Sequence, residues 1–389
     1  MRFPARFGLA GARVTAVLGA AALATAAVAA VAGPASAATA HRHFFFGAHR
    51  VVFVQTDAVA GNQVVAYHRN AGGTLTLAGT YNTGGLGGVL SGSVVDHLAS
   101  QGSLNYDRRH GLLYAVNAGS NTVSVFAAQG DRLFLRQVIG SRGTFPVSVA
   151  VHGDLVYVLN AGRGGTVQGY RVRSGRLVRL PGSHRPLGLN PAATPQFTNT
   201  PGQVAFSPDG SQLIVTTKAN GSDIDVFRVR ADGGLSLSPV VNSEPGTVPF
   251  GITFDSHGDL VIANAGTNAL ATFALGSNGV VTLLDAVGTG QAATCWVEPA
   301  GGTLFASNAG SASISGYQAG TGGLLTLLGN TATDPGTVDA AASPHGHFLY
   351  VQTGGNGIVD EFSVSGGSLT PIGSVTVATA VGGEGIAAG

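Results

Sequence analysis

Seven residues of this 389-residue chain carry side chains suited to act on a small molecule from one shared site. His97, Glu298 and Glu384 are candidate proton acceptors; Gln101, Gln203, Lys218 and Trp296 are candidate binding groups. Adding water to a carbonyl needs a base to activate the water and donors or a cation to hold the developing oxyanion. His97, next to Asp96, offers a base, against the plainer role of a solvated loop histidine. Glu298 is one of four glutamates and follows Cys295 and Trp296, although a turn-solvated acid before Pro299 reads equally from the same residues. Lys218, the only lysine, suits an anionic group or simply an exposed surface. Trp296, the only tryptophan, suits stacking on a ring or packing between structural units. Cys295 is the only cysteine, so no internal disulfide forms, and no histidine lies near it in sequence. A buried core thiol is the expectation there. No metal motif is present, neither His-Glu-x-x-His nor a series of spaced acids. The expectation is no metal ligand and no cofactor, with a channel-bound divalent cation, held by residues from separate repeats, left open.

These residues are set in a repeat. Pro249 to Gln291 reads as four short strands, GITFD, LVIANAG, LATFALG and VTLLDAVG, each bounded by Gly, Asn, Asp or Ser. Similar sentences begin at Pro146, Pro201 and Thr294. A four-stranded unit recurring at about 40–45 residues predicts blades around an axis. The second strands are LLYAVNAG, LVYVLNAG, LIVTTKAN, LVIANAG, TLFASNAG, FLYVQTGG and VVFVQTD, which makes seven blades. The fold class is therefore all-β, a seven-bladed β-propeller of four-stranded blades. The unit at Val51–Asp57 lacks an opening strand, and Glu384–Ala388 resembles one with no successor. The C-terminal strand is expected to complete the N-terminal blade and close the ring, leaving no open edge. Asn117, Asn160, Asn264 and Asn308 each open an Asn-Ala-Gly. They read as blade-turn residues, with the glycine expected at positive φ.

The N-terminus reads as a targeting segment. Arg2, Arg6 and Arg13 precede an alanine-rich apolar run from Val14 to Val31, and Ala35-Ser36-Ala37 is a cleavage signature. The expected organisation is a signal peptide over 1–37, a flexible lead-in over 38–50 and the propeller over 51–389. His41 and His43 in the lead-in have no carboxylate partner and make a weak metal site. Cleavage removes three of the twenty basic residues and no acid, leaving 17 against 19 in a secreted chain. That balance disfavours nucleic acid as a partner. No later stretch is long and apolar enough to span a bilayer, and a monomer is expected.

Two links break the regularity: Thr83–Gln101 and the proline-rich His184–Thr200. Both join an outer strand to the next inner strand, so they arrive at the rim of the central channel, where long loops on a rigid scaffold carry function. Nine arginines lie between Arg132 and Arg185, on strands at the outside of blades. They suit an anionic envelope polymer or an ordinary solvated rim.

With VAFSPDG and LIVTTKAN (Val204–Asn220), VYVLNAG (Val156–Gly162) and TGQAATCWVEPAGG (Thr289–Gly302), the chain resembles the seven-bladed propeller lactonase family. That family includes bacterial 6-phosphogluconolactonase and fungal carboxymuconate cyclase. The resemblance spans Val51 to the end and looks closest to a secreted, functionally undefined branch. It implies hydrolysis of a lactone or sugar-derived ester outside the cytoplasm, with a small lactone or carbohydrate derivative, or an envelope partner, as ligand. It also implies His and Arg at the starts of inner strands, with a Glu nearby. Those starts here read Pro146-Val147-Ser148, Pro201-Gly202-Gln203, Pro249-Phe250-Gly251 and Ala293-Thr294-Cys295, and none carries His or Arg. A non-catalytic ligand- or protein-binding propeller is the alternative. His, Arg and Glu converging in the channel would favour the enzyme; an apolar or amide-lined channel would favour binding.

Overall fold

The computed structural model describes residues 50–389; the expected signal peptide and all but the last residue of the expected lead-in lie outside the described residues. Seven antiparallel sheets follow one another in chain order. Blade 2 is typical, with Leu104–Asp107 innermost, then Leu112–Asn117, Thr122–Gln129 and Arg132–Gly140 outermost. The inner strands of blades 3 to 7 are Pro146–His152, Val204–Phe206, Pro249–Phe254, Thr294–Ala300 and Thr337–Ala342. Second strands are buried on both faces, Leu112–Asn117 throughout, because a blade lies on each side. That double burial explains why they read as continuous apolar runs. Outermost strands alternate between exposed and covered positions, as Arg132–Gly140 does.

Closure occurs as expected. Ile386–Ala388 is the innermost strand of blade 1 and pairs antiparallel with Val51–Gln55, Val54 opposite Ile386 and Val52 opposite Ala388. It packs between the inner strands of blades 7 and 2, which completes the ring. Buried tyrosines tie neighbouring blades. Tyr157 donates to the Gly233 carbonyl (2.7 Å), Tyr170 to Gly140 (2.6 Å), and Tyr350 to Gly73 across the closure (2.6 Å). Each hydroxyl lends a large apolar body to the blade interface while its polar tip stays satisfied.

The Asn-Ala-Gly turns do hold the blade: Asn117 donates to Thr122 and Ser124, and Asn308 to Ser313 and Ser315. The glycine's role differs from expectation. Positive φ falls further along the turn, at Asn121, Asn268 and Ala312. Gly119 is needed because a Cβ would stand 2.2 Å from the Gly87 carbonyl oxygen, and at Gly266 2.3 Å from that of Gly246. The incoming link between blades presses directly on these turns.

Candidate functional site

Inner strands run from the face where the links arrive to the opposite face, so the channel has two mouths of different chemistry. At the link face the two long links meet, with Ser91 N–H donating to Gln196 Oε1 (3.2 Å). Below them lies a cavity of about 660 Å³, walled by Val94, Val95, Phe197, Phe250, Cys295 and Trp296. The Trp296 ring packs at 5.1 Å from that of Phe250, and its Nε1 donates to the Ser100 carbonyl (2.6 Å).

Lys218 also borders this cavity, but it is neither an exposed lysine nor a free cation. It is 1% exposed, and Nζ donates to Ala99 O (2.5 Å), Phe197 O (2.7 Å) and Thr200 Oγ1 (3.2 Å). All three protons are thus used to fasten both links to blade 4. Burial lowers its pKa, and the charge of Asp96 opposes that. Asp96 in turn accepts from the backbone N–H groups of Leu98, Ala99 and Ser100 (2.9, 2.7 and 3.0 Å). The Cys295 thiol is pushed up to about 12 by burial, so it is a core thiol without nucleophilic character.

The expected pairing of His97 with Asp96 does not form. His97 lies over Gly382, its N–H donates to the Gly382 carbonyl (2.7 Å), and its buried Nδ1 has no partner. Burial lowers its pKa. It lines neither mouth, its ring lying against Gly382.

Glu384 likewise departs from the catalytic expectation. It is fully buried, accepting from Ser100 Oγ (3.2 Å) and Ser103 N–H (3.4 Å), while its own N–H donates to Asp57 (2.8 Å). Burial, then the charges of Asp339, Asp96 and Asp57, raise its pKa well above the usual range. Through Ser100, Ser103 and Asp57, Glu384 fastens the closing strand in the channel. Gln101 is a strut: its amide donates to Val297 O (2.8 Å) and accepts from Val297 N–H (3.1 Å). Gln203 accepts from Ile252 N–H (2.5 Å).

Further ionisable groups lie at the opposite mouth. A depression of about 540 Å³ is lined by Asn105, Arg108, His152, Gln203, Glu298 and Asp339. Glu298 Oε1 accepts from Ala342 N–H (3.0 Å). Burial, helped by the charge of Asp339 and opposed by Arg108, lifts its pKa to about 8. Arg108 donates to the Ala388 carbonyl (2.6 Å), fixing the guanidinium beside this mouth. Of the expected catalytic residues, then, Glu298 is the one that lines this mouth. Its partners Arg108 and Asp339 carried no signal beyond an arginine in a turn and an acid among apolar inner-strand residues. Among the described residues no three His, Cys, Asp or Glu side chains gather as metal ligands.

No protein-family model and no curated protein sequence matches the chain. Solved structures do. Pseudomonas aeruginosa periplasmic gluconolactonase is 17% identical, with TM-score 0.68, covering 86% of this chain and 98% of its own. A Bacteroides fragilis protein named for 6-phosphogluconolactonase is 19% identical at TM-score 0.67, covering 85% and 96%. Staphylococcus aureus virginiamycin B lyase is more distant, 12% identical at TM-score 0.53, covering 74% and 89%. These likenesses establish a lactonase-like, seven-bladed propeller fold.

Proposed function

We propose that this lactonase-like propeller is an exported binding protein for an uncharged, ring-bearing small molecule, held in the link-face cavity. One observation carries it: the cavity is walled by Trp296, Phe250, Phe197 and valines, while its ionisable neighbours Lys218 and Asp96 are already hydrogen-bonded. An apolar ligand there displaces water at no polar cost, whereas a phosphorylated or otherwise anionic one finds no free donor. Arginines before an alanine-rich run and a cleavage signature support export. Its two ionisable neighbours are engaged in fastening the links, which favours binding over turnover at this mouth.

Lactone hydrolysis is a second reading, favoured by Glu298 beside Arg108 at the opposite mouth. There the Glu298 carboxylate would take a proton from water as hydroxide adds to the lactone carbonyl, with Arg108 holding the oxyanion. Collapse would break the ring C–O bond, and the departing alkoxide would recover the proton from Glu298. Such turnover should rise with pH through about 8, as Glu298 ionises.

Trp296 is a built-in reporter, since it is the only tryptophan. For dihydrocoumarin, at about 0.5 kcal/mol for each of its roughly eleven heavy atoms, Kd is on the order of 100 µM. Its titration should quench Trp296 fluorescence saturably, and Ala309→Phe, which fills the cavity, should abolish the quench without lowering Tm. Equal quenching in that variant would sink the cavity as the binding site. A pH-indicator assay on dihydrocoumarin, aldonolactones and acyl-homoserine lactones, with and without chelator, separates the second reading: turnover lost in Glu298→Gln supports it, and no turnover of any of them by folded protein removes it.

A further inference from the structure

The outermost strands of blades 2 and 3, Arg132–Gly140 and Arg176–Arg179, lie side by side. Gln137 bridges them, donating to Leu177 O (3.0 Å) and accepting from Leu177 N–H (2.8 Å). The surface they form exposes Arg132, Arg136, Arg176 and Arg179. Among the described residues none of these four has a carboxylate within 4 Å; the arginine ion pairs involve Arg173 and Arg230 instead. The same two strands expose the apolar side chains of Phe134 (45%) and Val178 (51%), while Leu135 and Val138 lean toward the blade 1 link at Gly84.

Comparison with the other blades shows that this is not the general character of the rim. The outermost strands of blades 1, 5, 6 and 7 contain no arginine. Each carries a β-bulge that leaves one residue unpaired, namely Ala78, Leu284, Leu328 and Ile372. The last three pack over a glycine of the next blade's turn, Gly323, Gly367 and Gly73 respectively. Blade 2 has the same bulge, but the residue in it is Arg136, and nothing lies within 4 Å of a Cβ at the corresponding Gly175. A bulge re-aims the side chain it carries. Here a position that elsewhere seals two blades instead presents a charge, in a chain where only 10% of residues are charged.

We infer that this edge of blades 2 and 3 docks on an anionic lipid bilayer surface. Guanidinium groups meet the phosphate and other headgroup oxygens, and their number sets a salt-dependent attraction. Phe134 and Val178 enter the boundary between headgroups and acyl chains, which desolvates them. An acidic polysaccharide would satisfy the charges but would leave those side chains in water. The interleaving of cations with exposed apolar residues therefore selects the bilayer.

The test is co-sedimentation of the purified chain with vesicles of phosphatidylcholine containing phosphatidylglycerol, against phosphatidylcholine alone. Binding should require the anionic lipid and fall with salt. Arg136→Gln with Arg179→Gln should lower partitioning by roughly 25-fold, at about fivefold per arginine near the surface. Phe134→Ser with Val178→Ser, with charges intact, should also weaken it several-fold. All four side chains are exposed, so an unchanged Tm shows that the variants fold. Absence of anionic-lipid binding at low salt would overturn the inference. So would binding to sodium polygalacturonate at equal strength with no loss in the apolar pair, since that outcome identifies a polymer site.

Discussion

Replacing Glu298 with Gln tests whether a protonated carboxyl sits at the opposite mouth, independently of any activity. Glutamine keeps an oxygen for the Ala342 N–H, bonded at 3.0 Å to Glu298 Oε1, and removes only the titration. The folded carboxyl is lifted to about 8 by burial, against about 4.3 in an unfolded chain. The folded state therefore binds the extra proton between those values. A raised folded pKa contributes stability below the unfolded value and loses it as pH climbs through the folded one. Each pH unit in that window is about 1.36 kcal/mol, so from pH 5 to 8 the ceiling is about 4 kcal/mol. The side chain keeps partial contact with water, which reduces the expectation to about 2 kcal/mol. Glu298→Gln should match the parent near pH 5 and exceed it by that amount near pH 8. For 340 described residues this is about 3 °C in Tm, at about 2.1 cal/mol/K per residue. Urea midpoints at both pH values measure it. Parallel profiles, with a difference that does not change with pH, would refute the reasoning, because they mean the carboxyl is already ionised at pH 5.

Lys218→Met should destabilise by about 3–5 kcal/mol, because it strips the Ala99 and Phe197 carbonyls of their donor and leaves Asp96 without its compensating charge. Thermal unfolding should show a loss of several degrees, whereas an exposed lysine would give no change. Gly119→Ala should cost about 1–3 kcal/mol through collision with the Gly87 carbonyl. Its φ is ordinary, so a purely conformational role for this glycine predicts no loss, and denaturant titration tells the two apart.

The architecture was legible because a propeller writes one local pattern seven times. Strand type follows from apolar runs between turn residues, and even the shared first blade follows from an opening strand missing at Val51 and found at Ile386. The site was less legible, because its residues meet only across blades. Glu298 was visible as a rare acid on an inner strand, but Arg108 and Asp339 reach the same mouth from blades 2 and 7, at separations no short spacing encodes. Lys218 and His97 misled for a common reason. Each sits where a link is fastened down, and a residue type cannot show whether its polar atoms face a ligand or a neighbouring carbonyl. The glycines of the Asn-Ala-Gly turns hid a contact in the same way: close approach and positive φ both select glycine, and only the path of the link distinguishes them.

The pairing of Val51–Gln55 with Ile386–Ala388 has a consequence for how the chain is made. The first blade is short of its inner strand until more than 300 further residues have been synthesised. At roughly 5–20 residues per second that interval lasts on the order of 15 to 70 s. Throughout it the apolar edge VVFVQ is a template for any other extended segment nearby. Assembly is therefore a race between the arrival of one short tail and capture by a neighbouring nascent chain. Crowding, translation speed and holding by a chaperone should govern the yield of this protein more than the strength of its finished core.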